Sequence, residues 1–91
     1  MNDSTKKQVS SRLKKVEGQI GGLLRMVGED RYCVDLLTLI SATRAALHKI
    51  EGQILEDHVA HCVVDAFASG DRIDQQHKIQ ELVSTIGRMT K

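Results

Sequence analysis

The chain reads as an all-α protein, on three observations. Apolar residues recur at steps of three and four in three separate stretches, the 91 residues contain no proline, and no stretch alternates as a strand does. Gly28-Glu29-Asp30 and Ser69-Gly70-Asp71 punctuate the pattern, giving three helices within one domain spanning residues 1–91. A chain this short buries a modest fraction of its surface, so an oligomer is expected before any motif is considered.

The first helix is expected to start near Ser4 or Thr5. Val9, Leu13, Val16, Ile20, Leu23, Leu24 and Val27 form its apolar stripe, and the polar side carries Lys6, Lys7, Arg12, Lys14, Lys15 and Arg25. Net charge is only +1, yet residues 1–25 hold six Lys or Arg against two acids, while residues 26–91 hold seven against ten. A polyanion responds to such local positive potential rather than to the whole-chain sum, and a solvated helix face would carry the same residues. Gly18, Gly21 and Gly22 each weaken a helix by about 1 kcal/mol relative to Ala, which suggests close helix approach or bending there.

The second helix is expected to run unbroken from Tyr32 to Val64. Leu36, Ile40, Thr43, Leu47, Ile50 and Ile54 alternate steps of four and three, as a coiled-coil seam does, although packing against helix one would produce the same stripe. Ala42, Ala45 and Ala46 sit near the middle, where two antiparallel helices could cross closely. Ile79, Leu82, Val83 and Ile86 outline a shorter third helix.

Three side chains carry the chemistry. His58 and Cys62 are four apart on one helix face and can grip one ion. Cys33 lies 25 residues before His58, roughly 38 Å along an unbroken helix. It cannot join them within that helix. In an antiparallel pair of chains, however, Cys33 of one meets His58 and Cys62 of the other, and two-fold symmetry makes two such sites. Two thiolates and an imidazole suit Cu(I), which accepts three ligands, whereas Zn(II) and Ni(II) would seek a fourth. Both cysteines could instead be small buried hydrophobes. Asp57 and His61 lie at other angles round the helix, and His48 and His77 have no partner pattern, so all four are expected to be solvated or at most supporting.

Other classes are disfavoured. One Tyr, one Phe and no Trp leave few anchors for base stacking or a large ligand pocket. Cys33 and His58 could mimic a nucleophile and base, but no oxyanion donor completes an enzyme site. A helical scaffold that binds no DNA is opposed only by the front-loaded basic charge. No apolar run approaches the ~20 residues that span a bilayer, and the N-terminal residues lack the apolar core of a secretory signal, so a cytoplasmic protein is expected.

Together, Arg12-Leu13-Lys14-Lys15-Val16-Glu17-Gly18-Gln19-Ile20-Gly21-Gly22, Arg25-Met26, Tyr32-Cys33-Val34-Asp35, His58-Val59-Ala60-His61-Cys62 and Ile79-Gln80-Glu81-Leu82 resemble the CsoR/RcnR group. These are the copper-sensitive operon repressors and their nickel-, cobalt-, formaldehyde- and persulfide-sensing relatives. The resemblance implies a three-helix subunit forming an antiparallel four-helix-bundle dimer, assembled into a disc-shaped homotetramer. It implies repression by binding operator DNA in the metal-free form, with release by inducer switching on export or detoxification genes.

Residue by residue, the resemblance makes Cys33, His58 and Cys62 the ligands of a copper sensor. Tyr32 and Glu81 match the pair that links the ligand histidine to the DNA-binding conformation, and both could also be ordinary surface residues. Arg12 and Lys49 match DNA contacts, with Lys14 and Lys15 beside them. Nickel and cobalt sensors tend to recruit an N-terminal histidine, and this chain has none before His48; formaldehyde sensors use a proline, which it lacks. Persulfide sensors keep the two cysteines without the histidine, so His58 favours Cu(I) while leaving sulfur chemistry, and Ni(II), as alternatives.

Overall fold

The structure, a computed structural model, describes residues 1–89. Its described residues are helical apart from short turns: α1 (Asp3–Gly28), α2 (Cys33–His58), a π-helical turn (Val59–Val63), α3 (Val64–Ser69) and α4 (Arg72–Met89). The backbone divides into two compact units, Met1–Leu55 and a second that begins at Glu56.

In the first unit α1 and α2 pair as a hairpin. Asn2 caps α1, its side-chain oxygen accepting from the Thr5 N–H at 2.7 Å, which sets the start at Asp3, a residue or two before the expected one. The helix closes through Glu29 N–H to the Arg25 carbonyl and Arg31 N–H to the Met26 carbonyl, and Asp30 makes the turn at φ 53°. Asp is among the few side chains that tolerate this left-handed region. Val9 and Val16 of α1 and Ile50 of α2 form the buried cluster, with Ala46 packed against it. Thr43 is buried too, its hydroxyl satisfied by the Leu39 carbonyl at 2.8 Å.

Much of the apolar pattern stays uncovered in a single chain. Of the α2 stripe only Thr43 and Ile50 are buried, whereas Ile40, Leu47 and Ile54 are each about 40% exposed. On α1, Leu13, Ile20 and Val27 are exposed as well. Both exposed sets repeat every seven residues, the step that keeps a row of side chains on one helix face. Towards the turn, Ile20, Leu23, Leu24, Val27, Leu36 and Ile40 line a wholly apolar surface groove. The glycines of α1 are not forced by close packing within the subunit: a methyl group at Gly18 would meet nothing within 4 Å, and one at Gly22 would make only ordinary contact with Leu39 and Arg25.

In the second unit the expected unbroken helix is modified. Helical dihedrals continue through His58 and Val64, but the intervening Val59–Val63 turn is π-helical, one residue wider than an α-helical turn. No Gly or Pro marks it in the sequence. Helix continues past the predicted end at Val64 to Ser69. Gly70, at φ 72°, reverses the chain, and Asp71 caps α4 by accepting from the Ile73 and Asp74 N–H groups at 3.0 and 3.3 Å. That cap extends the third helix well before Ile79, through a polar stretch that carries no apolar period. α4 packs on α3 and the π-turn, and Ala66 is buried.

Candidate metal centre and nucleic-acid interface

His58 ends α2, and Cys62 follows within the π-turn. Four residues overshoot a full α-turn by about 40° and fall short of a full turn in the wider π-turn, so the two remain on one face of the helix. His58 is half-buried, and its Nε2 lies 4.0 Å from Glu81 Oε1 on α4. The element that folds back after Gly70 thus brings a carboxylate to the candidate ligand imidazole. At 4.0 Å the two groups are in charge contact rather than hydrogen bonded, and Nδ1 is the ring nitrogen not turned towards the carboxylate.

Cys62 and Cys33 are both exposed and outside any disulfide, so the alternative reading of two small buried hydrophobes does not hold in the single chain. Cys33 is the first residue of α2, in the other unit, beside an exposed Tyr32 whose carbonyl accepts from the Asp35 and Leu36 N–H groups. Among the described residues of one chain, no three His, Cys, Asp or Glu side chains converge on a common point. His61 pairs with Asp57, Nε2 to Oδ1 3.3 Å, and the Asp57 side chain is buried rather than solvated. His48 and His77 are exposed. The donor chemistry fits a soft ion: two accessible sulfurs and one oriented imidazole, with no carboxylate among them to favour a hard cation.

The basic residues do not form one strip. Lys6, Lys7 and Lys14, with Ser10 and Ser11, line a shallow depression on α1. Arg12 is about 160° round the helix from Lys14, and its guanidinium donates to Gln53 Oε1 on α2 at 2.7 Å. Gln53 also donates to Gln8 Oε1 at 2.6 Å. Lys49 is exposed one turn before Gln53, so Arg12 and Lys49 share one edge of the hairpin; Lys15, one turn after Arg12, is exposed too. Arg25 lies over Gly21 and Gly22. Sequence periodicity missed the glutamine relay and the π-turn; only the charge of Arg12 pointed towards the first, and nothing pointed towards the second.

The family model described as metal-sensitive transcriptional repressor matches residues 5–88. The copper-sensing transcriptional repressor CsoR of Bacillus subtilis is 46% identical over 86 residues, covering 94% of this chain and 82% of that protein. The crystal structure of the copper-sensing repressor CsoR with Cu(I) from Geobacillus thermodenitrificans superimposes with a TM-score of 0.91 at 36% identity, covering 100% of this chain and 92% of that one. The nickel-responsive transcriptional regulator InrS gives 0.76 at 32% identity, covering 91% and 90%. No helix among the described residues is long and apolar enough to cross a membrane. A match across nearly the whole chain, on an all-helical fold with thiol and imidazole donors, places the chain in the family of metal-sensitive transcriptional repressors, which are DNA-binding regulators and not enzymes.

Proposed function

We propose that the chain is a Cu(I)-responsive repressor that holds operator DNA in its metal-free form and is released when Cu(I) binds, acting in the cytoplasm to derepress copper export or detoxification genes. The observation that carries this reading is His58: its Nε2 faces Glu81 while Cys62 follows one turn later, in a chain 46% identical to a copper-sensing repressor. Cu(I), when bound, supplies a soft acceptor for two thiolates and one imidazole nitrogen. His58 and Cys62 come from one chain and Cys33 from a second, in an antiparallel four-helix-bundle dimer that pairs into a homotetramer. Support for that assembly comes from the exposed rows Leu13, Ile20, Val27 and Ile40, Leu47, Ile54, which are too regular and too apolar for a free surface.

Each residue then has a task. Cys33 and Cys62 provide anionic sulfur, His58 provides nitrogen, and Glu81 orients the ring and senses the change in charge beside it. Tyr32 travels with Cys33 and lies against the ligands from the partner's side. Arg12, Lys15 and Lys49 contact phosphates and Lys14, on the other side of α1 with Lys6 and Lys7, adds positive potential, giving affinity that falls steeply with salt, and DNA shape supplies much of the sequence choice.

The test is an anaerobic titration of the protein with Cu(I), Ni(II) and a persulfide donor, on a duplex selected by the metal-free protein from a randomised library. Release by stoichiometric Cu(I) alone is the expected result. Release by Ni(II) or by persulfide, with Cu(I) silent, would transfer the function to those inducers. Mixed dimers of a Cys33→Ala chain and a His58→Ala/Cys62→Ala chain should regain one site; verified mixed dimers that bind no Cu(I) would remove the interchain arrangement.

A further inference from the structure

The side-chain relay across the hairpin has a definite polarity. Arginine offers only donors, so the Gln53 atom 2.7 Å from the Arg12 guanidinium is its carbonyl oxygen. The Gln53 amide nitrogen is then the atom that meets Gln8, and a donor must find an acceptor there, at 2.6 Å on Gln8 Oε1. Arg12 alone sets this polarity, since a flipped Gln53 amide would present N–H groups to a cation, while Gln8, whose own amide could offer either atom, braces the Gln53 nitrogen. Gln8 and Arg12 are one turn apart on α1, with Gln53 opposite on α2, so the relay spans both helices within one unit. One of the five guanidinium donors is used, which leaves the rest of the planar fork for a phosphate.

We propose that Gln53, braced by its hydrogen bond to Gln8, is a positioning residue that fixes the Arg12 guanidinium on the Lys49 edge of the hairpin for contact with a DNA phosphate. The proposal rests on the reading of Arg12 as a DNA contact. An arginine free in solution samples many rotamers, and one that is already tethered loses less freedom when it engages DNA. Gln53 acts only through Arg12 and needs no contact with DNA.

The experiment is a double-mutant cycle on the selected duplex with Gln53→Met, Gln8→Met and Arg12→Ala, measured over a salt series. Methionine keeps length and volume while removing both polar atoms. Gln53→Met should weaken binding by roughly 3- to 10-fold, the range of one hydrogen bond. Gln8→Met should weaken it less, and neither should have a further effect in the Arg12→Ala background. Cu(I) stoichiometry and helicity should match the parent in every variant. An equal loss from Gln53→Met with and without Arg12 would overturn the proposal, because Gln53 would then act directly or through the fold. So would full affinity in Gln53→Met while Arg12→Ala binds weakly. An Arg12→Ala protein that binds like the parent, with an unchanged salt slope, would overturn the Arg12 reading itself.

Discussion

In the proposed mechanism Glu81 separates binding an inducer from responding to it. Its carboxylate stands 4.0 Å from His58 Nε2, at the outer limit of an ion pair, and its side chain is 56% exposed. Screening by water limits such a pair to at most about 1 kcal/mol of folding stability, so Glu81→Ala should change stability little. It donates no electron pair to the ion in the proposed site, so Cu(I) stoichiometry should persist, with affinity lowered by no more than about 10- to 100-fold, as for other outer partners of metal ligands. Release is governed by a different quantity: the ratio of duplex affinities without and with saturating Cu(I), set by how differently the ion's surroundings fit the two conformations. Removing from one conformation a charge contact of up to about 1 kcal/mol should reduce that ratio by up to roughly 5-fold. The assay is fluorescence anisotropy of the duplex, with Cu(I) held by a competing chelator. Glu81→Gln, which keeps an acceptor but loses the charge, should fall between parent and Ala. A ratio equal to the parent's in Glu81→Ala would take Glu81 out of the mechanism, and lost stoichiometry would make it a ligand or a structural support.

The remaining expectations are simpler. Arg12→Ala or Lys49→Ala should lower duplex affinity and reduce the salt slope by about one for each phosphate no longer engaged, leaving Cu(I) binding intact; unchanged slopes in both would displace the proposed surface. Gly70→Ala should destabilise the fold by about 1 kcal/mol in urea titrations, because alanine resists φ 72° even though the space beside it is open. Gly18→Ala should stabilise the subunit by about 0.5–1 kcal/mol if its face is free, since nothing lies within 4 Å of the added methyl; a fall in tetramer stability instead would place that face in an interface. Leu47→Glu should leave helicity in place but shift sedimentation towards monomer, and an unchanged oligomer would move the chain-chain interface elsewhere.

Legibility differed between the two units for physical reasons. The α1 and α2 stripes were plain because each helix buries one face, yet periodicity alone could not divide that stripe between an intrachain and an interchain neighbour. The structure makes the division: Val9, Val16, Thr43 and Ile50 go to the hairpin, and the heptad rows beside them remain exposed. The start of α4 was hidden because Arg72 to Lys78 offer one apolar residue, and the cap at Asp71 carries the signal instead. The π-turn has no composition of its own. The candidate ligands stood out in the sequence because sulfur and imidazole at a four-residue step are chemically unusual, whereas the environment of His58 depends on a carboxylate 23 positions later in the chain.

A donor set divided along the chain in this way bears on how binding is coupled to release. Cys33 opens the same helix that carries Lys49 and Gln53, while His58 and Cys62 sit at the other end, in the second unit. In the proposed site, closing three bonds fixes the start of one α2 against the end of its partner's α2. Each helix is so constrained at both ends, since two-fold symmetry repeats the site. The π-turn is the place where such a constraint can be absorbed, because its wider hydrogen-bond step is a local alternative to the α-helical one. An inducer that engaged only Cys62 and His58 would leave Cys33 free and the start of α2 unconstrained. Cys33→Ser should for this reason retain weak Cu(I) binding at His58 and Cys62 while losing most of the release from DNA; full release by such a two-donor site would show that the constraint on Cys33 is not part of the switch.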